Sequence, residues 1–173
     1  MVRAPPCHGG GCGFESRLSR IGILKKMYYF AYGSNMGQQQ MSKRCPSARL
    51  IGPGVLKDYK LDFTISAPER WGGGGCADVV LNKGSEVWGL LYELSREDIE
   101  NLDRAEGPRY RRFSVSIQIE HQPAVPAFVY EVIDKAPFKS PDSQYLDIIK
   151  RAASEYAFPK SYQEYLDSVS VQV

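Results

Sequence analysis

The stretch Tyr110 to Glu120 restricts the fold more than any other feature of this chain. Phe113, Val115, Ile117 and Ile119 alternate with Arg112, Ser114, Ser116 and Gln118. A period of two puts all the apolar groups on one side of an extended backbone, so the segment reads as a half-buried strand. The same signature recurs. Met27 to Tyr32 is short and aromatic and reads as a buried strand. Arg49 to Leu56 and Tyr59 to Ile65 read as strands around a turn at Lys57-Asp58. Cys76 to Leu81 and Glu86 to Leu94 flank Asn82-Lys83-Gly84-Ser85, a hairpin signal, and Ala127 to Ile133 is a further strand.

Helical patterns are fewer. Gly37 to Arg44 reads as a short helix stopped by Pro46. Ser95 caps a helix with Asp98 three residues on, and Gly107-Pro108 ends it. Ser140-Pro141 reads as a cap followed by a first-turn proline. After it, Tyr145, Ile148, Ile149, Ala152 and Tyr156 form an apolar stripe at helical spacing. Beyond Pro159, Tyr162, Tyr165, Leu166 and Val169 repeat that stripe. Strands outnumber helices without alternating with them. The expected fold is therefore α+β: a small mixed, mostly antiparallel, barrel-like sheet with flanking helices.

Residues 1–26 differ in character from the rest. They lack apolar periodicity, contain Pro5-Pro6 and Gly9-Gly10-Gly11, and hold five of the 22 basic residues against one of the 20 acidic ones. The segment has no apolar core of the kind a secretory signal needs; its basic, acid-poor composition also suits an organellar transit peptide. Gly13 to Arg17 resembles a translated transfer-RNA gene arm. Residues 1–26 are thus expected to be a disordered leader, from a mis-assigned start, ahead of one domain over 27–173. That domain is mildly acidic, so the overall pI of about 8.3 is no sign of a nucleic-acid partner. No apolar run is long enough to span a bilayer. Four cysteines without paired ligand spacing argue for reduced thiols in a cytoplasmic protein and against a zinc site, Cys7, His8 and Cys12 included.

Two places could carry chemistry. Glu106 follows Ile99 by seven positions, so at 100° per residue it lies within about 20° of that apolar side chain. A carboxylate aimed at an apolar interior is expected to hold and release a proton near neutral pH. The competing reading is an ion pair with Arg109, Arg111 or Arg112. Second, Tyr32-Gly33-Ser34-Asn35 joins a strand to a helix start, where free backbone N–H groups favour an anion. The competing reading is an ordinary cap by Ser34 or Asn35. No nucleophile emerges: Ser34 lacks the elbow motif, neither Cys45 nor Cys76 has a basic partner, and His121 sits at a strand end.

These two places coincide with a known pattern. Tyr28-Tyr29-Phe30-Ala31-Tyr32-Gly33-Ser34-Asn35-Met36 resembles the signature of the γ-glutamylcyclotransferase family. Five more stretches agree in order: Arg44 to Ala48, Asp58 to Phe63, Glu86 to Gly89, Leu102 to Gly107, and Ser140 to Tyr145 before Ile148-Ile149. Together they span most of residues 28–166. The resemblance implies that the segment Tyr29, Phe30, Ala31, Tyr32, Gly33, Ser34 and Asn35 binds a γ-glutamyl group, chiefly through its backbone. It implies that Glu106 is the acid/base and that Tyr145 contacts substrate, with Tyr110 a further pocket residue. It also implies a small-molecule γ-glutamyl substrate, no cofactor or metal, and a homodimer. A non-catalytic binder of amino-acid ligands on the same fold is the alternative in another functional class.

Overall fold

The computed structural model describes residues 27–172; the expected leader 1–26 lies outside the described residues. Five strands close into a barrel: β1 (Met27–Ala31), β2 (Arg49–Ser66), β3 (Gly75–Leu94), β4 (Tyr110–Gln118) and β5 (Val125–Val132). The order is β1-β3-β2-β4-β5, and β5 returns to β1. All pairings are antiparallel except β1 with β5, which is parallel at Tyr29 and Phe128. Four α-helices flank the barrel among the described residues: α1 (Gln38–Arg44), α2 (Arg96–Glu106), α3 (Ser143–Glu155) and α4 (Lys160–Ser168). The expected α+β class and barrel-like sheet are what the chain forms.

The main departure from the sequence reading lies in β2 and β3. Each spans a turn signal. Lys57-Asp58 is a bulge, not a turn: Asp58 takes φ 63° and the register shifts between Lys57 and Tyr59. Asn82 to Ser85 lies inside the bounds of β3 yet turns out of the ladder as its signal predicts, with Gly84 at φ 84° and Asn82 Nδ2 donating to the Ser85 hydroxyl; the strand resumes beyond it. The two strands form one long antiparallel ribbon that is interrupted here: the register passes from Lys57–Glu86 to Tyr59–Leu81, so Asp58 and residues 82–85 have no ladder partner and bulge out together, with the Gly84 amide donating to the Asp58 carboxylate. The turn that joins the two strands is 67–74, which contains most of the glycine run. That turn is held by Ala67 N–H donating to the Gly74 carbonyl and Gly75 N–H donating to that of Ser140.

The core fills the barrel. Phe30, Phe63, Leu90, Leu91, Val79 and Ile117 are fully enclosed, each contributing about 1.5–3 kcal/mol of apolar burial. Where β1 crosses β3, a Cβ on Gly89 would stand 2.3 Å from the Ala31 carbonyl oxygen, so that position excludes every other residue. The α3 start also shifts from the expected Ser140-Pro141. Asp142 is the cap, its side chain accepting from the Gln144 and Tyr145 amides, and this fixes Tyr145 in the first turn.

Candidate active site

β1 delivers the chain into a one-turn 3-10 helix at Ser34–Met36. Met36 N–H donates to the Gly33 carbonyl and Gly37 N–H to that of Ser34; the Ser34 amide faces the Tyr145 hydroxyl, and the Asn35 amide has no acceptor inside the turn. Gly33 sits tightly beneath it. A Cβ there would meet the Tyr145 hydroxyl at 3.1 Å and the Ala77 side chain at 3.2 Å.

Asn35 is 4% exposed and makes every hydrogen bond its side chain allows. Its amide nitrogen donates to the Tyr29 hydroxyl at 2.8 Å and to Glu106 Oε1 at 2.9 Å. Its oxygen accepts from Gln40 Nε2 and from an Arg44 guanidinium nitrogen, both at 2.8 Å. Two donors face one end and two acceptors the other, so the amide has one orientation only.

Glu106 closes α2. Ile99 and Leu102 on the same face are buried, as the helical spacing predicts. The carboxylate lies in a polar setting instead of an apolar one. Arg44 pairs with it at 2.9 Å, with side-chain exposures of 13% and 17%. Neither Arg109, Arg111 nor Arg112 is its partner: Arg109 donates to the Ser66 carbonyl, Arg111 pairs with Glu131, and Arg112 pairs with Asp103. Both bonds to Glu106 fall on Oε1, and Oε2 takes none from the described residues.

These groups line one cavity of about 130 Å³. Tyr29, Tyr32, Gly33, Ser34, Asn35, Glu106, Tyr110 and Tyr145 all reach it. Phe30 and Ala31 do not; both are fully buried in the barrel and serve the strand that aims the turn. Tyr145 accepts from the Ala77 amide at 3.0 Å and packs edge-on against Trp71. Burial pushes the Tyr29, Tyr110 and Tyr145 hydroxyls above the ordinary tyrosine range, so all three stay protonated near neutral pH. Burial also raises the Cys76 thiol at the cavity wall to about 11 and the Cys45 thiol to about 12, which deprives both of nucleophilic thiolate. Among the described residues no cluster of His, Cys, Asp and Glu is placed to hold a metal ion, and no helix is long and apolar enough to cross a membrane.

Residue reasoning missed Arg44 and Gln40. Arg44 stood inside a matching stretch, but its target is 62 residues away, and nothing local signals such a pairing.

A bovine γ-glutamylcyclotransferase is 31% identical over 163 residues, covering 91% of this chain and 85% of its own length. The human γ-glutamylcyclotransferase is 32% identical over 149 residues, covering 82% of this chain and 77% of its own. The chain belongs to the γ-glutamylcyclotransferase family. It is accordingly a member of a family of enzymes. The profile of the AIG2-like family also matches residues 86–166. A solved γ-glutamyl cyclotransferase superposes with a TM-score of 0.80 at 29% identity, over 86% of this chain and 90% of that one. The AIG2-like match takes in the end of α2 and Tyr110 and Tyr145 at the cavity wall.

Proposed function

We propose that this γ-glutamylcyclotransferase relative cyclises a γ-glutamyl amide to 5-oxoproline and releases the amine. One observation carries the reading: the Glu106 carboxylate, fixed by Arg44 and Asn35, shares a cavity sized for a glutamyl group with the Gly33–Asn35 turn. The substrate α-carboxylate lies against the Asn35 amide at the turn, beside the Ser34 amide that faces the Tyr145 hydroxyl. The substrate α-nitrogen attacks the γ-carbonyl carbon; the new C–N bond forms and the carbonyl electrons move to oxygen. Glu106 takes the proton from the attacking nitrogen and hands one to the leaving nitrogen as the old C–N bond breaks. Tyr110 and Tyr145, both protonated, supply hydrogen-bond donors within the cavity. Ring closure is intramolecular, so holding the glutamyl chain folded provides much of the acceleration. No enzyme nucleophile takes part, in keeping with the two suppressed thiols.

The test is 5-oxoproline release from γ-glutamyl-alanine, followed by mass spectrometry, with wild type and Glu106→Gln side by side. The variant is expected to bind the substrate in calorimetry and to release no product above background. Turnover by the variant at a rate near wild type would remove Glu106 from the chemistry.

A further inference from the structure

Two side-chain amides stand in series between the 67–74 turn and Glu106. Arg70, on that turn, lies 5.8 Å from the Trp71 ring and donates to Gln40 Oε1 at 3.1 Å. Gln40 Nε2 donates in its turn to Asn35 Oδ1 and to the Ser34 hydroxyl, both at 2.8 Å. Asn35 Nδ2 then donates to Glu106 Oε1 at 2.9 Å. Arg44 follows Gln40 by four positions on α1, so both side chains leave the same helical face toward Asn35. Gln40 is half-buried and is not among the residues that line the glutamyl cavity.

A primary amide has a donor end and an acceptor end of nearly the same shape. Turned over, Asn35 would set its oxygen against the Glu106 carboxylate and its NH2 against the Arg44 guanidinium. The groups that face Oδ1 decide which way it stands. Arg44 uses one nitrogen, Nη1, on both Asn35 and Glu106. Gln40 is therefore the donor to Asn35 that Glu106 does not share. Gln40 carries the same ambiguity, and Arg70 resolves it, because a guanidinium has donors only. Ser34 is set by the same residue. Its hydroxyl oxygen accepts from Gln40, which leaves its own proton for the cavity that Ser34 lines.

We infer that Gln40 is a positioning residue: held by Arg70, it keeps the Asn35 amide in the one sense that gives Glu106 a donor. The inference rests on the cyclisation reading, in which Glu106 carries the proton. Gln40 touches no reacting atom and acts through Asn35 and Ser34. Arg70 reaches Glu106 only through Gln40. Loss of Gln40 therefore slows proton transfer more than it weakens substrate binding, because the backbone of the Gly33–Asn35 turn stays where it is.

The experiment follows 5-oxoproline release from γ-glutamyl-alanine by wild type, Gln40→Met, Gln40→Glu, Arg70→Met and the double variant Gln40→Met, Arg70→Met. Melting temperature is measured for each. Methionine keeps the length of glutamine and removes its three side-chain hydrogen bonds. Gln40→Met is expected to lose about tenfold in kcat with KM within about threefold of wild type. Glutamate keeps the bond to Arg70, now as an ion pair, but sets an oxygen against Asn35 Oδ1 and drives that amide to turn over. Gln40→Glu is therefore expected to lose more kcat than Gln40→Met at an equal or higher melting temperature. A residue that merely anchored the 67–74 turn would give the opposite order. Arg70→Met is expected to cost about threefold in kcat on its own and nothing further in the Gln40→Met background. Both Gln40 variants within about twofold of wild-type kcat, a loss confined to KM, or Gln40→Glu more active than Gln40→Met overturns the positioning role and leaves cyclisation standing. An equal Arg70→Met loss in both backgrounds overturns the link through Gln40. No 5-oxoproline from wild type removes the cyclisation reading and this inference with it.

Discussion

Asp98 and Glu106 stand at opposite ends of α2, and their surroundings could hardly differ more. Asp98 is 1% exposed and belongs to a capping box: its amide donates to the Ser95 hydroxyl while its carboxylate accepts from the Ser95 amide. Ser47 adds a further donor. Burial alone would raise the Asp98 carboxyl, but the hydrogen bonds from Ser47 and Ser95 prevail and hold it below the usual carboxylate range. A negative charge in the first turn also suits the helix dipole. Glu106 sits at the unfavourable C-terminal end, where only a cation brought from elsewhere offsets that dipole, and Arg44 supplies it. One acid is saturated and shut away; the other is held by one oxygen at the edge of a cavity. Their difference separates an acid that builds the helix from one the helix presents.

The comparison can be broken at several points. The largest effect is expected from Glu106→Gln: a loss of about 10²–10⁴ in kcat with little change in melting temperature. A folded variant retaining wild-type kcat would make Glu106 as structural as Asp98. Next comes Arg44→Met, which strips Glu106 and Asn35 of a shared donor. We expect kcat to fall by about 10–100-fold and the unfolding free energy by about 1–3 kcal/mol, from the polar groups left unpaired. Denaturant titration alongside kinetics checks both. Asp98→Ala gives the reverse profile: about 1–2 kcal/mol less stability, with kcat unchanged. Its acid limb should flatten too. Because the folded carboxyl titrates low, its contribution is full above the unfolded value near 3.8 and is lost as pH falls, a loss the alanine variant cannot show.

The smallest effect concerns Cys45, whose thiol lies 3.5 Å from the Asp98 carbonyl. Its folded value of about 12 exceeds the ordinary 9.0. The raised value favours the folded protein fully below pH 9 and that advantage is lost as pH climbs from there toward 12. Native protein at pH 8 should resist iodoacetamide at Cys45 and Cys76, and denatured protein should label at both. Rapid labelling of the native state would contradict the burial that silences these thiols.

Much of this molecule follows from short-range physics. The Ser95–Asp98 box, the alternation in β4, the apolar face of α2 and the placing of Glu106 on it all depend on residues within a turn or a few positions of one another. Sequence therefore determined where α2 begins, which way its last acid points, and that a glycine turn follows β1. The family pattern extended this to the pairing of turn and acid. Tertiary structure alone decided the rest. It let β2 and β3 resume their pairing beyond Asp58 and Asn82–Ser85, because the ladder on either side of that bulge spans nearly the whole of both strands. It moved the cap of α3 to Asp142, chose Arg44 over three nearer arginines as the partner of Glu106, and brought Arg70 against Gln40. Such choices depend on which elements meet in space, and the chain encodes that only through the whole packed core.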